Sequence, residues 1–356
     1  MKRLLRRSLR QVRHVRPVPA GSAGGLVAVV YAQLEGDFGM LAPPVALHSP
    51  APEVLAASWM TLRESLLVGT TRRVDREAVA AAVSEANSCP YCVEVHTSTL
   101  RTLSTGRNAT AANGDGNGRA DDSSPRPAPG PSPRPAAAWA LQDEPMPCTA
   151  EEAAELAGVA VTFHYLNRMV NVFLEDSVLP SEVPAVLRGA LSDRIGRFLR
   201  PNAVLPPGRS LRLLPEAVLP ADMAWAAGSP PVADAFARAA AAIDAAGRRA
   251  VPRPVRDLVT GVLDEWDGRP PGPSRAWAHE AAAGLGDDLA PAAVLTLLTA
   301  MASYQVVPSD VAAFRATRPD DRTLVEATAW ASLTAARRLG ARLWDWHLSS
   351  TERHPS

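Results

Sequence analysis

Apolar residues recur every three or four positions along much of this chain. The spacing is clear in residues 26–34 and 52–67, and it returns in residues 149–175. Runs that alternate apolar and polar residues, or that are rich in β-branched side chains, are almost absent. Because this period matches one face of an α-helix and not of a strand, the sequence predicts an all-α fold.

One long segment breaks the helical pattern. Residues 104–137 are rich in Gly, Pro, Ser, Asn and Asp and hold almost no large apolar side chain. This composition is typical of a disordered insert. Since the helical pattern resumes at residue 149, we expect the insert to interrupt one domain that spans residues 24–205. Residues 1–23 form a basic N-terminal segment before that domain.

The C-terminal half resembles a second copy of this domain, over residues 206–349, with a tail at 350–356. Shifting the sequence by a constant number of residues places several residues of the first half on similar or identical residues of the second half. A slightly shorter shift does the same for a later pair. The first shift pairs Ser49 with Ser229, Val79 with Val259, Glu85 with Glu265 and Pro90 with Pro270, and the second pairs Glu155 with Glu326. The sequence thus predicts a tandem duplication.

Composition and charge narrow the class of protein. Lys and Arg together number 37, as do Asp and Glu, so no net field favours nucleic acid as a partner. Three cysteines are too few for a disulfide-stapled secreted domain, and we expect a cytoplasmic protein. The longest apolar stretch, residues 293–307, is too short to span a bilayer, so no integral membrane segment is predicted.

The N-terminus is the one strongly charged region. No apolar region follows it, so a secretory signal is not predicted. A terminal helix that is solvated or packed is favoured over one that binds lipid or a partner. Its cations are Lys2, Arg3, Arg6, Arg7, Arg10, Arg13 and Arg16.

Candidate chemistry is concentrated between Glu77 and His96, around Cys89 and Cys92. A cysteine reacts with peroxides and disulfides as the thiolate, so its pKa has to be lowered. Pro90 suits the first position of a helix, which would place Cys89 at the N-cap, Cys92 in the first turn, and both sulfurs at the positive end of the helix dipole. His96 follows four residues after Cys92 on the same face. Glu77 lies on the preceding helix and would complete a proton relay.

This pattern, E-x11-C-x2-C-x3-H, resembles the signature of the alkylhydroperoxidase and carboxymuconolactone decarboxylase superfamily, in its AhpD-like branch. The resemblance implies that Cys92 is the peroxidatic cysteine and Cys89 the resolving one, while Glu77 and His96 carry protons. It also implies a thiol-dependent peroxidase without a bound cofactor, acting on a hydroperoxide and reduced by an external dithiol or a lipoyl or thioredoxin-like partner. At Tyr91 the chain departs from well-studied peroxidases of the family, which have a second histidine between the cysteines.

In the aligned second copy, Arg269 and Gly272 stand in place of the two cysteines and Ala276 in place of His96, so this copy would be catalytically silent. The family builds its sites between helical protomers. An active copy and a silent copy fused in one chain would reproduce one such interface. The sequence leaves open whether the protein also forms a homo-oligomer.

Other interpretations of the dithiol remain open as well. It could serve a disulfide reductase or thiol carrier with little peroxidase activity, or the protein could be a non-catalytic helical interaction protein. Lactone decarboxylation is disfavoured, because that branch generally lacks the dithiol. A structural zinc site is disfavoured too, since Cys148 is the only further cysteine. Motifs for flavin, nicotinamide or ATP are absent, so no cofactor or metal is predicted.

The segment 163–171 is expected to neighbour the dithiol. Its polar side chains are interpreted as packing residues or buried polar pairs rather than as catalysts. They include His164, Tyr165, Asn167 and Arg168.

Overall fold

The structure, a computed structural model, describes residues 8–112, 134–178 and 205–353. Its α-helices in these ranges are Gly25–Asp37 (α1), Pro43–Ala46 (α2), Pro52–Leu62 (α3), Arg73–Ala86 (α4), Pro90–Ala112 (α5), Arg134–Ala140 (α6), Ala150–Phe173 (α7), Pro230–Ala250 (α8), Arg253–Glu265 (α9), Ala276–Ala282 (α10), Ala290–Ala302 (α11), Pro308–Thr317 (α12) and Asp321–Arg353 (α13). Short 3-10 turns lie at Ser8–Gln11, Ala20–Ser22, Leu211–Leu213, Ala221–Gly228 and Ser303–Gln305.

The predicted all-α class is confirmed, as the described ranges contain helices and no strand. Several helices begin where the sequence supplies a start signal. A proline begins each of α3, α8 and α12, at Pro52, Pro230 and Pro308. Proline lacks a backbone N–H, but at the first position of a helix that group would have no acceptor within the helix, so no hydrogen bond is lost. A capping box between Thr149 and Glu152 starts α7. Within these ranges, no helix combines the length and apolarity needed to cross a membrane.

The two halves of the chain share one hydrophobic core. Helix α3 packs against α8, and α7 packs along α13. The second contact is close at Gly340, where any side chain would clash with Val161. Helices α4 and α9 begin at residues that the first of the two sequence shifts places on each other. Helices α7 and α13 begin at residues that the second, shorter shift places on each other. The tandem duplication itself stays a prediction.

Helix α3 continues into a π-helical turn at Arg63–Leu67, where the N–H of Val68 donates to the carbonyl of Arg63 at 3.0 Å. Such wide turns are frequent at functional sites. Here the turn buries Arg63 completely, and its guanidinium pairs with Asp37 and Glu64, both at 2.6 Å. These charge-assisted bonds satisfy a cation that would otherwise be costly to bury.

The ends of the predicted insert differ from expectation. Helix α5 continues to Ala112, and α6 begins at Arg134, so both ends of the segment 104–137 are helical. Residues 104–112 contain no proline, so a helix nucleated in the buried core can propagate through them. The rest of the segment lies outside the described residues.

Two features of the chain ends bear on the predicted boundaries, which stay predictions. Helix α13 extends to Arg353 and includes the first residues of the predicted tail, of which residues 354–356 lie outside the described part. At the N-terminus, the N–H of Arg13 donates to the carbonyl of Phe173 at 2.7 Å, and Gln11 donates to the carbonyl of Val178 at 2.9 Å. This stretch of the basic segment is therefore packed near the end of α7, while residues 1–7 are not described.

Candidate active site

The dithiol lies at the N-terminus of α5, as the position of Pro90 predicts. The carbonyl of Cys89 accepts the first helical bond from the N–H of Val93 at 3.0 Å, which makes Cys89 the N-cap. Ser88, just before it, has a φ of 50°, a conformation that non-glycine residues adopt at some energetic cost. Both cysteines are free thiols and almost fully buried, with exposures of 1% for Cys89 and 4% for Cys92.

The environment of Cys92 opposes ionisation on balance. Burial raises the pKa of its thiol well above the usual range, and the neighbouring thiol of Cys89 raises it further. A hydrogen bond from the side chain of Asn167 acts in the opposite direction. Formation of the thiolate in this site therefore requires a nearby proton acceptor in addition to the helix dipole.

Glu77 and His96 come together as the spacing predicts. The Oε2 atom of Glu77 lies 2.6 Å from Nδ1 of His96, and both side chains are buried. The other oxygen, Oε1, accepts from Nε and Nη2 of Arg73 at 2.8 and 2.5 Å. Arg73 also donates to the carbonyl of Leu66, in the π-helical turn, at 3.1 Å. Sequence reasoning missed Arg73, although its position four residues before Glu77 was a usable signal.

This arrangement fixes the charge of Glu77 and the orientation of the imidazole. Although burial alone would raise the pKa of Glu77, the charges of Arg73 and His96 lower it to about 2. The carboxylate is therefore ionised at neutral pH and accepts a hydrogen bond from Nδ1–H of His96. In the neutral ring, Nε2 is then the nitrogen that can accept a proton. The ring is further held edge-on to Phe163, with 4.4 Å between centroids.

An apolar cavity of about 70 Å³ opens beside the dithiol. Cys92 and His96 both line it, as does Tyr91, whose pKa is raised by burial and by the two adjacent thiols. The remaining lining comes from α5, α7 and the segment after it, the end of α3 with its π-helical turn, and the region around α2, and includes Phe38, Met40, Leu62, Leu66, Val95 and Phe163. Cys92 and His96 thus border a common apolar space.

A polar cluster behind the dithiol was not predicted as part of the site. It is centred on Asn87, in the turn between α4 and α5, whose side chain hydrogen-bonds His164 and Asn167 at 3.1 and 3.0 Å. Arg168 donates to Oδ1 of Asn87 at 3.1 Å. Asn171 donates to the backbone carbonyl of Asn87 at 3.1 Å. The cluster holds the turn that carries the motif against α7, and its contacts join segments that are distant in the sequence.

The described side chains do not assemble a metal site. Over residues 8–112, 134–178 and 205–353, no three His, Cys, Asp or Glu side chains are grouped so as to hold a metal ion. Cys148, the third cysteine, is a free, half-buried thiol.

Comparison with known proteins agrees with the resemblance seen in the motif. Residues 53–106, which include both cysteines, Glu77 and His96, match the carboxymuconolactone decarboxylase family. Over 336 residues, or 92% of this chain and 94% of the relative, the sequence is 41% identical to a protein of Mycobacterium tuberculosis (strain ATCC 25618 / H37Rv) named alkyl hydroperoxide reductase. No solved structure matches the chain significantly. The chain belongs to the carboxymuconolactone decarboxylase superfamily, with the AhpD-like helical fold.

Proposed function

We propose that this protein is a thiol-dependent peroxidase in which Cys92 attacks the hydroperoxide. The observation that carries the proposal is the shared cavity: Cys92 and His96 line the same apolar space, and Oε2 of Glu77 lies 2.6 Å from Nδ1 of His96. A nucleophile, a base and a group that orients the base are the parts that covalent thiol chemistry needs. The name of the relative, alkyl hydroperoxide reductase, agrees with this reaction.

The reaction begins with transfer of the Cys92 proton to Nε2 of His96, while the carboxylate of Glu77 stabilises the imidazolium that forms. The thiolate attacks the terminal oxygen of the hydroperoxide, so that an S–O bond forms and the O–O bond breaks. The departing alkoxide takes the proton from His96 and leaves as the alcohol. Cys92 is now a sulfenic acid.

Cys89 then resolves this intermediate. Its sulfur attacks the sulfur of Cys92, an S–S bond forms, and the hydroxyl leaves as water after gaining the proton that the Cys89 thiol loses. The two thiols are neighbours, since Cys89 contributes to the raised pKa of Cys92. An external dithiol, either free or on a lipoyl or thioredoxin-like partner, returns the pair to the reduced state by thiol–disulfide exchange. A reducing compartment suits this cycle.

The cavity lining bears on the choice of peroxide. Its surface is mainly apolar, contributed by side chains such as Leu66, Val95 and Phe163. Burial of an alkyl substituent there is favourable by about 25 cal/mol per Å² of apolar area. We therefore propose that organic hydroperoxides are reduced with higher kcat/KM than hydrogen peroxide.

Peroxide consumption coupled to a dithiol tests the proposal, with variants at each cysteine. Cys92→Ser is expected to reduce turnover to background, because it removes the nucleophile. Cys89→Ser is expected to allow one turnover and to leave a sulfenic acid at Cys92, which dimedone traps for mass spectrometry. Cys148→Ser is the matched control and is expected to retain wild-type turnover.

Unchanged peroxide consumption in both Cys92→Ser and Cys89→Ser would show that the peroxidase proposal is wrong. If wild-type protein exchanged its Cys89–Cys92 disulfide with dithiols but consumed no peroxide, the protein would instead be a disulfide reductase or thiol carrier.

A further inference from the structure

A short non-helical segment, residues 174–178, follows α7 and supplies one wall of the cavity. Helix α7 ends where Leu174 adopts an extended conformation, with a φ of −120° and a ψ of 165°. Val178, four residues further on, is half-buried and lines the cavity together with Cys92 and His96. After Leu174 this segment contains no helix, so contacts other than helical hydrogen bonds have to set the position of Val178.

The helix that carries Cys92 holds this wall from one side. Glu94 lies on α5, two residues after Cys92, and its Oε2 atom accepts from the backbone N–H of Val178 at 3.3 Å. The same oxygen accepts from the hydroxyl of Ser177 at 3.1 Å. Hydrogen bonds to a carboxylate are stronger than bonds between neutral groups. A side chain of the motif helix therefore ties Val178 to the helix that begins at the dithiol.

The N-terminal segment holds the wall from a second side. Nε2 of Gln11 donates to the carbonyl of Val178 at 2.9 Å, and Gln11 is itself only 9% exposed. The side chain of Arg13 donates to the carbonyl of Leu174 at the end of α7, where a cation is favourable. Part of the basic N-terminal segment thus fixes the residues that follow α7.

These contacts occupy both polar groups of the Val178 backbone. The N–H is bonded to Glu94 and the carbonyl to Gln11, which leaves the isopropyl group as the part of the residue that suits an apolar cavity. Protein interiors are closely packed, so a wall fixed in this way does not yield to a larger group unless a hydrogen bond breaks.

We propose that Val178 is a specificity-determining residue, whose side chain limits the size of the hydroperoxide substituent that the cavity accepts. Glu94 and Gln11 are positioning residues, because they hold the backbone of Val178 from opposite ends of its peptide groups. The proposal rests on the proposed function, since the substituent belongs to the peroxide. It goes beyond a preference for organic hydroperoxides, because it assigns the limit on their size to one side chain.

Two maleimides that share a reactive group but differ in size, N-methylmaleimide and N-phenylmaleimide, test the wall without peroxide. The rate at which each labels Cys92 in the reduced full chain is measured by mass spectrometry, and peptide fragmentation separates Cys92 from Cys89. The readout is the phenyl-to-methyl ratio of the rates, because a changed thiol pKa alters both rates alike. Val178→Ala is expected to raise this ratio by about tenfold, since two methyl groups leave the wall. Val178→Phe is expected to lower it.

The same ratio tests the positioning residues. Glu94→Ala is expected to raise it by less than Val178→Ala does, because the side chain of Val178 remains while the anchor of its N–H is lost. Glu94→Gln keeps an acceptor oxygen and should restore most of the wild-type ratio. Gln11→Ala should change the ratio in the same direction as Glu94→Ala.

Two variants serve as matched controls and are expected to keep the wild-type ratio. Val218→Ala removes the same two methyl groups from a side chain that is 90% exposed. Glu175→Ala removes an exposed carboxylate from the wall segment itself.

The kcat/KM values for cumene hydroperoxide and tert-butyl hydroperoxide supply the substrate measurement. Val178→Ala is expected to raise the cumene-to-tert-butyl ratio of kcat/KM, and Val178→Phe to lower it. The proposal is overturned if both Val178 variants keep the wild-type maleimide ratio, or if Val218→Ala shifts it as far as Val178→Ala does. Should one Val178 variant fail to fold, the other decides. A protein that consumes neither peroxide but shows the expected maleimide ratios would support the wall and refute the peroxidase proposal.

Discussion

Two ion pairs of the same spacing, one in each half of the chain, have very different surroundings. Arg73 and Glu77 on α4 are joined at 2.5 Å, with side-chain exposures of 18% and 2%. Arg253 and Asp257 on α9 are joined at 3.5 Å, with exposures of 83% and 68%. Both pairs are i,i+4 neighbours near the start of a helix.

The difference shows that spacing creates a pair, while its surroundings decide what the pair can do. Helices α5 and α7 pack against α4, where the first pair lies. The imidazole of His96 hydrogen-bonds the second carboxylate oxygen of Glu77 and so adds a third group to this pair. The α9 pair is open to water, where an ion pair contributes about 0–1 kcal/mol. A buried charge has to be compensated, and the bonds to His96 and Leu66 supply that compensation in the first half.

The largest expected effect comes from neutralising the two acids. Glu77→Gln should lower kcat/KM for peroxide by about a hundredfold to a thousandfold, because the imidazolium of His96 loses its counter-charge. Asp257→Asn should leave kcat/KM unchanged. Steady-state peroxide consumption, with circular dichroism to establish folding, makes the comparison. Equal activities in Glu77→Gln and wild type would remove Glu77 from the proposed relay.

Glu77 and Asp257 should also differ, by a smaller amount, in how the free energy of unfolding depends on pH. The pKa of Glu77 in the folded protein is about 2, below the ordinary value of 4.5 for a glutamate, so its stabilising contribution is present above pH 4.5 and is lost as the pH falls toward 2. The free energy of unfolding of wild type relative to Glu77→Gln should therefore shrink by about 2–3 kcal/mol across this window. Urea denaturation at a series of pH values measures it. A constant difference would contradict the lowered pKa, and Asp257→Asn provides the reference for an exposed acid.

The smallest difference is expected at the arginines. Arg73→Met should reduce kcat/KM by about tenfold, because Glu77 keeps its charge but loses one of the two partners that orient it. Arg253→Met should change neither activity nor, by more than about 0.5 kcal/mol, stability. An Arg73→Met enzyme as active as wild type would show that His96 alone positions Glu77.

Much of the site followed from local sequence. The position of Pro90 anticipated a helix that starts between the cysteines, and the spacing of Glu77 and His96 anticipated their contact across the turn. These features are local because one helix and one turn determine them. The all-α class was equally accessible, since it depends on a periodicity repeated along the chain.

The features that sequence reasoning missed depend on contacts between distant segments. Asn87 on the motif turn meets Asn167 on α7, and Arg168 reaches Ala300 in the other half of the chain. Nothing in the local pattern around Asn167 separates a residue that holds the motif turn from an ordinary buried polar residue. The pKa of Cys92 likewise depends on burial by the folded chain. Burial raises this pKa, whereas the helix dipole expected from the sequence would lower it.

The π-helical turn at Arg63–Leu67 makes this chain sensitive to a change in its length at one place. A wide turn holds one more residue than the same arc of α-helix, so deletion of a single residue there would restore the regular period. Every side chain before the turn would then rotate by about 100° relative to those after it. Leu62 and Leu66 would no longer face the cavity together, and the carbonyl of Leu66 would leave Arg73. A one-residue deletion in this turn should therefore be far more damaging than the same deletion in a surface loop.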